Sequence, residues 1–168
     1  MTVLPLVIAP DERLNRPSEK VEVVDDSIRK LLDDMLETMY ANDGIGLAAV
    51  QVGVHKKVIV VDVGIRDGKP TPMKLINAEV VQESDEGSVY MEGCLSFPDQ
   101  FSEVERPAEV TIRYLDEHGN AQTIKASDIL ATCVQHEIDH TNGIVFVDHI
   151  SSLKRDMILR KLKKAKKL

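Results

Sequence analysis

The segment CVQHEIDHTNG, residues 133–143, contains the residues best suited to chemistry. His136 and His140 are four residues apart, so on an α-helix they lie one turn apart on the same face. Two imidazoles in this arrangement can bind one metal ion, with the Glu137 carboxylate beside it. The structural alternative is a polar helix face that carries two histidines by chance. Because the chain has only five histidines, we favour the metal site.

A catalytic metal site usually needs a third protein ligand and a position left open for water. Cys133 lies close by in sequence, three residues before His136. However, the distance from Cys133 to His140 along a helix is about 10.5 Å, and three ligands along one helix are nearly collinear. Tetrahedral coordination requires a ligand from elsewhere. We therefore interpret Cys133 as a packed core thiol.

Cys94, in the segment MEGCLSFP, is the other candidate ligand. Gly93 precedes it and Pro98 follows it, a composition that predicts a loop. A glycine beside a cysteine permits close approach of the backbone to an ion or a substrate. Considered alone, such a cysteine is more often simply packed in the protein. Beside an HExxH motif that lacks its third ligand, Cys94 becomes the favoured candidate.

The segment GIGLAAVQVG, residues 44–53, is a third region of interest. Its glycines resemble the start of a phosphate-binding loop, yet neither G-x-G-x-x-G nor G-K-[ST] is completed. The small residues instead predict backbone packed closely against another part of the protein. Gln51 is the one strongly polar side chain here. It is either a satisfied amide in a turn or a hydrogen-bond donor directed into a cleft.

Taken together, GIGLAAVQ, EGCLS and QHEIDH resemble, in the right order, the three signature motifs of bacterial peptide deformylases. The resemblance covers essentially the whole chain and is much more specific than HExxH alone. The family removes the formyl group from the N-terminal methionine of newly made bacterial proteins. The resemblance therefore implies an amide hydrolase that acts on nascent formyl-methionine polypeptides.

The resemblance also implies a role for each motif residue. It gives the metal one thiolate and two imidazole ligands: Cys94, His136 and His140. The native metal of the family is Fe²⁺, and Zn²⁺, Ni²⁺ or Co²⁺ can occupy the same site. Glu137 becomes the general acid and base. Gln51 and the backbone N–H group of Leu95 become the donors that stabilise the oxyanion.

The methionine side chain of such a substrate needs a slender apolar pocket. Ile45 and the buried face of the HExxH helix, including Ile129 and Cys133, are placed to line it. Such a pocket discriminates by only about 1–3 kcal/mol per methylene, so related apolar residues should be accepted more weakly. Three glycines leave room for a peptide backbone to lie along the loops as a strand: Gly44, Gly46 and Gly93.

Two positions depart from the family pattern. Many relatives carry an arginine soon after the cysteine motif, where this chain has Phe101, and the next cation is Arg106. Tyr90 occupies a position that is commonly aliphatic. We expect Phe101 and Tyr90 to border the substrate cleft and to affect fine specificity and inhibitor binding, leaving the chemistry intact.

Hydrophobic periodicity and turn residues predict the secondary structure. An extended segment covers residues 1–24, and a helix follows, capped by Asp25 or Asp26 and ending before Gly44. Strands are predicted at 57–63, within 69–82, in a hairpin at 108–116 and 121–126, and at 144–147. The HExxH helix begins at Ser127 or Asp128 and stops at Asn142-Gly143.

This order of elements predicts an α+β domain. The resemblance adds antiparallel β-sheets wrapped around a central HExxH helix, with a helix at the C terminus. The length of 168 residues, with 43% apolar and 29% charged residues, fits a single catalytic domain, residues 1–168. The apolar stretch near the start is too short for a membrane span and has no basic leader. Two cysteines fit a reducing compartment, so we expect a cytoplasmic protein without membrane association.

The net charge of −7 is unevenly distributed. Residues 154–168 carry a charge of +7, so the remaining residues carry −14. An amphipathic helix is predicted from about residue 152 to residue 168. In the family, the C-terminal helix is thought to bind near the ribosomal exit tunnel, which makes the ribosome a predicted partner. The alternative is an ordinary solvated helix.

Two rival functions share part of this pattern. An HExxH metallopeptidase would keep Glu137 and both histidines, but it usually takes a third His or Glu ligand and needs a cleft open at both ends. The motifs around Cys94 and Gln51 argue against it. A non-catalytic module that recognises formylated or free N termini would tolerate loss of Glu137, which this sequence retains.

Overall fold

The computed structural model describes residues 2–166, which form an α+β fold with three α-helices and two β-sheets. The helices are α1 (Asp26–Ala41), α2 (Asp128–Thr141) and α3 (Ser152–Lys166). The strands are β1 (Gly46–Ala48), β2 (Val58–Val61), β3 (Met73–Glu83), β4 (Gly87–Cys94), β5 (Phe97–Pro107), β6 (Glu109–Leu115) and β7 (Ala121–Ser127). One sheet has the order β1-β2-β3-β6-β7, and β4 pairs with β5 in the other. All these pairs are antiparallel, so the α+β class and the antiparallel sheets are confirmed.

The larger sheet is covered on both faces. Along strand β2, Val58 and Val60 pack with helix α1, whereas Ile59 and Val61 pack with helix α2. Successive residues of a strand point to opposite faces. Because both faces of this sheet are covered, all four side chains are buried. This is why the strand is apolar throughout. Helix α2 thus lies against the sheet, and it also contacts strand β5 of the smaller sheet.

The predicted helices are observed. Asp25 caps helix α1 by accepting a hydrogen bond from the N–H group of Ile28. The HExxH helix, α2, is followed by Asn142 and then by Gly143 in a left-handed conformation. Helix α3 begins at Ser152, as expected, and residues 167–168 of the predicted helix lie outside the described residues. Within residues 2–166, no helix is both long enough and apolar enough to cross a membrane.

Residues 87–107 form a β-hairpin, whereas the sequence predicts a loop around Cys94. Strands β4 and β5 pair along their lengths and are joined by a tight turn at residues 95–96. Two of the buried side chains of this hairpin are charged, Glu92 and Arg106. They interrupt the apolar alternation by which a half-buried strand is recognised. The prediction of a loop was therefore wrong, because a buried ion pair takes the place of apolar residues.

Residues 144–147 do not form the predicted strand. The chain makes a 3-10 turn at Phe146–His149, and the Asp148 carboxylate accepts a hydrogen bond from the N–H group of Val145. Such local bonding by a side chain competes with strand pairing. The apolar character of the segment instead reflects burial, because Phe146 packs with Phe97 and with Ile158 of helix α3.

Gly143 and Gly68 allow a matched test of the turn that ends helix α2. Their φ angles are 76° and 70°, so alanine costs roughly 1–2 kcal/mol of backbone strain at either position. A Cβ atom at 143 would also lie 2.6 Å from the carbonyl oxygen of Asn15, whereas one at 68 would meet no atom within 4 Å. We expect Gly143→Ala to lower the free energy of unfolding clearly more than Gly68→Ala in urea denaturation. Equal losses would show that the backbone near Asn15 moves aside at no cost.

Candidate metal centre

Three donor atoms from two distant segments meet inside the protein. They are Cys94 Sγ and one imidazole nitrogen each of His136 and His140, all within 4.8 Å of one another. Both histidines are buried and the cysteine is half-buried. A register shift between Gly93 and Cys94 interrupts the pairing of β4 with β5. Such an irregularity re-aims a side chain, and here the thiol lies against helix α2.

The orientation of each imidazole follows from its neighbours. His136 Nδ1 lies 3.0 Å from Glu92 Oε1. A carboxylate at this distance holds the proton on Nδ1 and leaves Nε2 free as a ligand atom. His140 Nε2 lies 3.4 Å from Cys94 Sγ. The two rings meet edge to face with centroids 5.0 Å apart, so both present a nitrogen atom to the same small volume.

Cys133 lies outside this group of donors. Its side chain is buried in an apolar cluster between helix α2 and the larger sheet. Its Sγ atom is 3.6 Å from the carbonyl oxygen of Ile45. Burial raises the pKa of the Cys133 thiol well above its ordinary value, so the thiol stays protonated. The side chain is thus packed in the core, as the collinearity of the helix positions predicts.

Glu137 is buried next to these donors, and its Oε1 atom has no hydrogen-bond partner among the described residues. Burial raises the pKa of Glu137 to about 7, against the opposing effect of His136. A Cβ atom at Gly46 would lie 2.5 Å from Glu137 Oε2 and 2.8 Å from Cys133 Sγ. Only glycine therefore lets strand β1 approach this carboxyl group so closely. With such a pKa, Glu137 can both accept and donate a proton at neutral pH.

Gln51 lies in a 3-10 turn that follows strand β1. Its Oε1 atom accepts a hydrogen bond from the N–H group of Ala48 at 3.0 Å. Its Nε2 atom donates to Ser96 Oγ at 3.1 Å and to Cys94 Sγ at 3.4 Å. Gln51 is thus a satisfied amide in a turn, and its nitrogen lies next to the cysteine. The Leu95 N–H group donates to no backbone carbonyl group among residues 2–166.

A chain of ion pairs beside the ligands was not predicted from the sequence. Arg106 donates to Glu92 from Nε at 2.7 Å and from Nη2 at 3.0 Å. A third hydrogen bond runs from Arg106 Nη1 to Asp139 Oδ2 at 2.8 Å. Burial raises the pKa of Glu92, but its hydrogen bonds with His136 and Arg106 outweigh this and lower the pKa overall. Glu92 is therefore a buried carboxylate.

One sequence signal could have found Glu92. It lies two residues before Cys94, and alternate residues of a strand share a face. If residues 87–94 are recognised as a strand, a carboxylate is expected beside the cysteine ligand. Its partner Arg106 could not be identified in the same way, because the pairing depends on the register of the hairpin.

The donors fit a divalent transition-metal ion. One thiolate and two imidazoles suit ions such as Zn²⁺ and Fe²⁺, and three protein ligands leave a position for water. Burial lowers the pKa of His140 well below its ordinary value, so the ring is neutral, the form that binds metal. Burial also lowers the pKa of His136, but Glu137, Cys94 and Glu92 together raise it well above its ordinary value. These surroundings favour a positive charge, which a bound cation would supply.

Comparison with known proteins identifies the family. Residues 3–156 match the sequence model for polypeptide deformylase. The peptide deformylase of Rhizobium meliloti (strain 1021) is 54% identical over 167 residues, which cover 99% of this chain and 96% of the relative. The chain belongs to the polypeptide deformylase family. It is accordingly a metal-dependent hydrolase that removes the N-terminal formyl group from nascent proteins.

Solved deformylase structures share the fold. The crystal structure of peptide deformylase from Ehrlichia chaffeensis in complex with actinonin has a TM-score of 0.95 and 49% sequence identity, and the match covers 100% of both chains. A peptide deformylase from Legionella pneumophila has a TM-score of 0.91 and 41% identity, covering 99% of this chain and 96% of that one. The similarity thus extends over the whole described structure.

The glycines expected to face a deformylase substrate are already crowded by side chains of the protein. A Cβ atom at Gly44 would lie 2.8 Å from Leu95 Cδ1, and one at Gly93 would lie 2.5 Å from the ring of Phe101. At both positions, therefore, a substituent would collide with a neighbouring segment. The side chains of Leu95 and Phe101 would have to shift to admit a Cβ atom at these positions, whether or not a peptide lies beside them.

Three residues expected near the substrate differ in exposure. Ile129 is 37% exposed, whereas the sequence predicts that it lies on the buried face of the HExxH helix; it lies at the start of α2, before the helix enters the interior. Phe101 is 64% exposed and lies opposite Gly93 in the hairpin. Tyr90 is partly buried and belongs to the set of alternate β4 residues that includes Glu92.

The two cysteines provide a matched test of the metal centre. Cys94→Ala removes one of three donors, so we expect the metal content of the purified protein to fall far below that of the wild type. Cys133→Ala removes a buried thiol that is not a donor, so metal content should stay at the wild-type level while packing is disturbed. Metal per protein is measured by mass spectrometry on both variants. Loss of metal from Cys133→Ala but not from Cys94→Ala would contradict the proposed ligand set.

Proposed function

We propose that the chain hydrolyses the formyl amide of N-terminal formyl-methionine at a metal ion held by Cys94, His136 and His140, releasing formate. The strongest support is the convergence of these donors within 4.8 Å, next to the Glu137 carboxyl group with an unpartnered oxygen. The three donors and Glu137 all lie in motifs that resemble those of the family.

Fe²⁺ is the proposed metal because the resemblance to the family implies it, and a mixed thiolate and imidazole set also suits Zn²⁺, Ni²⁺ or Co²⁺ as substitutes. When bound, the ion supplies Lewis-acid chemistry that activates water and polarises the formyl carbonyl group. Charge donation by the Cys94 thiolate weakens that acidity relative to a site with three histidines. The acid and base chemistry of the protein therefore has to contribute more.

Glu137 is the proposed proton carrier. As a carboxylate it accepts a proton from the water that attacks the formyl carbon, and as an acid it returns this proton to the leaving amine nitrogen. Burial raises the pKa of Glu137 above its ordinary value, which strengthens the carboxylate as a base. General acid and base catalysis of this kind typically contributes about 10²–10⁴-fold to a rate.

Gln51 and the N–H group of Leu95 are the proposed donors to the oxyanion. Gln51 Nε2 is 3.4 Å from Cys94 Sγ, and Leu95 directly follows this cysteine in the chain. Both donors are therefore close to the proposed metal. The hydrogen bond that Gln51 Oε1 accepts from the N–H group of Ala48 fixes the direction of the amide. One such preorganised donor typically contributes about 10²–10³-fold.

The substrate is proposed to bind beside strand β1. Ile45 and Cys133 would line the methionine pocket, with the exposed Ile129 at its rim, and three glycines would border the peptide backbone: Gly44, Gly46 and Gly93. Phe101 and Tyr90 would then influence the preference for the following residues.

We further propose that α2 is the central helix of a single catalytic domain, and that the enzyme acts in the cytoplasm, where its substrates are made.

The role of Glu137 is tested with Glu137→Ala. The substitution removes the proton carrier and leaves all three donors, so we expect metal content near that of the wild type and a loss in kcat of about 10²–10⁴-fold. Formate release from a formyl-methionine tripeptide and metal content are measured on the same sample. The exposed residue Glu22 provides the control, and Glu22→Ala should behave as wild type. Turnover within about tenfold of wild type would refute this assignment.

Helix α3 is proposed to dock on the ribosome. Ile158 and Leu162 attach it to the domain through an apolar cluster. Leu153 and Met157 are 71% and 49% exposed, so they do not contribute to this attachment. Its lysines face solvent, and residues 154–168 carry a charge of +7. A basic face of this kind suits the phosphate groups of ribosomal RNA.

The docking hypothesis is tested by replacing the lysines beyond Arg160 with serine: Lys161, Lys163, Lys164, Lys166 and Lys167. Because Ile158 and Leu162 remain, activity on free formyl peptides should persist. Affinity for ribosomes should fall and lose most of its dependence on salt concentration. A control replaces exposed lysines of the domain with serine: Lys20, Lys56, Lys69 and Lys125. Ribosome binding that is unchanged, or reduced equally by both variants, would leave α3 an ordinary solvated helix.

A further inference from the structure

We propose that Asp139 and His149 are positioning residues of the metal centre. Acting through Arg106 and Glu92, they hold the imidazole of His136 in the orientation in which it binds the metal. This inference rests on the proposed metal site, because His136 is one of the proposed ligands.

Four side chains form a closed ring of hydrogen bonds, and the proposed ligand His136 is one of them. His136 Nδ1 lies 3.0 Å from Glu92 Oε1, and Glu92 accepts two hydrogen bonds from Arg106 at 2.7 and 3.0 Å. Arg106 then donates to Asp139 Oδ2 at 2.8 Å. Because His136 and Asp139 both belong to helix α2, the ring leaves the helix and returns to it. It therefore fastens the helix that carries two proposed ligands to the hairpin that carries the third.

Asp139 determines how Arg106 is held. Glu92 Oε1 is shared between His136 Nδ1 and Arg106 Nη2, so any rotation of the guanidinium group also moves the acceptor of His136. Asp139 opposes this rotation by binding Nη1 on the remaining edge of the guanidinium group. A cleft of about 290 Å³ borders Arg106, Asp139 and His149. Without Asp139, the guanidinium group therefore has space into which it can turn.

His149 supports Asp139 from the outer side. Its Nε2 atom lies 2.8 Å from Asp139 Oδ2, the same oxygen that accepts the hydrogen bond from Arg106. His149 is the last residue of the 3-10 turn that also contains Phe146. The Phe146 ring stacks on His136 with centroids 6.2 Å apart. This 3-10 turn thus restrains His136 in two ways. Phe146 stacks directly on its ring, and His149 acts through the ring of hydrogen bonds.

Solvent exposure distinguishes a positioning role for Asp139 and His149 from a role in folding stability alone. The side chains of Arg106 and Glu92 are each 5% exposed, whereas those of Asp139 and His149 are 21% and 35% exposed. A partly exposed pair of polar side chains such as Asp139 and His149 contributes little to folding stability. Groups that orient a metal-binding histidine, in contrast, typically change metal affinity about 10- to 100-fold when removed. Substitution of Asp139 or His149 should therefore reduce metal affinity more than it reduces folding stability.

The test uses the full-length protein loaded with Co²⁺, whose visible bands and thiolate charge-transfer band report ligand geometry. Asp139→Ala removes the acceptor, Asp139→Asn retains an oxygen in its place, and His149→Ala removes the outer support. The control is Asp148→Ala, in the same turn. Asp148 bonds to the backbone of Val145 and to Arg155, and within residues 2–166 it makes no hydrogen bond to a side chain of the ring. Co²⁺ affinity is measured by competition with a chelator, and stability by thermal unfolding.

We expect Asp139→Ala to weaken Co²⁺ binding about 10- to 100-fold and to shift the visible bands. Asp139→Asn should recover part of the loss, and His149→Ala should show a smaller change in the same direction. Asp148→Ala should leave the Co²⁺ affinity and the visible bands unchanged, even if this variant unfolds at a lower temperature. Wild-type affinity and spectrum in Asp139→Ala, or an equal change in Asp148→Ala, would overturn the proposal.

Two further outcomes are also decisive. If Asp139→Ala does not fold, Asp139→Asn and His149→Ala carry the test, and wild-type affinity and spectra in both would overturn the positioning role. Absence of a thiolate charge-transfer band in the wild-type protein would instead refute the metal site itself. The failure of this inference can thus be distinguished from failure of the proposed function.

Discussion

The burial of a polar helix face is the constraint on which the rest of this structure depends. His136, Glu137 and His140 of helix α2 are only 7%, 4% and 0% exposed. Polar groups removed from water cost free energy unless other groups satisfy them. The protein must therefore bring donors, acceptors and charges from other segments to this one helix, while the same helix contributes apolar residues to the core.

Both sheets supply these partners. The hairpin of β4 and β5 provides Cys94 next to His140 and Glu92 next to His136. The turn after strand β1 provides Gln51, which donates to Cys94. On the opposite side of α2, the larger sheet packs against apolar residues such as Val134 and Ile138. The helix is thus fixed by apolar contacts on one side and by polar contacts on the other.

This division explains how one helix can serve stability and chemistry together. The apolar contacts are insensitive to small rotations of side chains, so they hold the helix without defining the site. Hydrogen bonds and ion pairs are directional, so Glu92, Arg106 and Asp139 define the position of His136. Glu137 is left with an unpartnered oxygen among the described residues, and this suits a group that exchanges protons with a substrate.

Local patterns in the sequence predicted much of the protein. The periodicity of α1 and α2, their capping residues, the hairpin of β6 and β7 and the donors Cys94, His136 and His140 could all be identified from neighbouring residues or motifs. The hairpin of β4 and β5 and the turn at residues 146–149 could not. Glu92 and Arg106 are 14 residues apart, and Glu92 and His136 are 44 apart. Only the tertiary structure brings such charges together, because their pairing depends on strand register and on how the hairpin packs against helix α2.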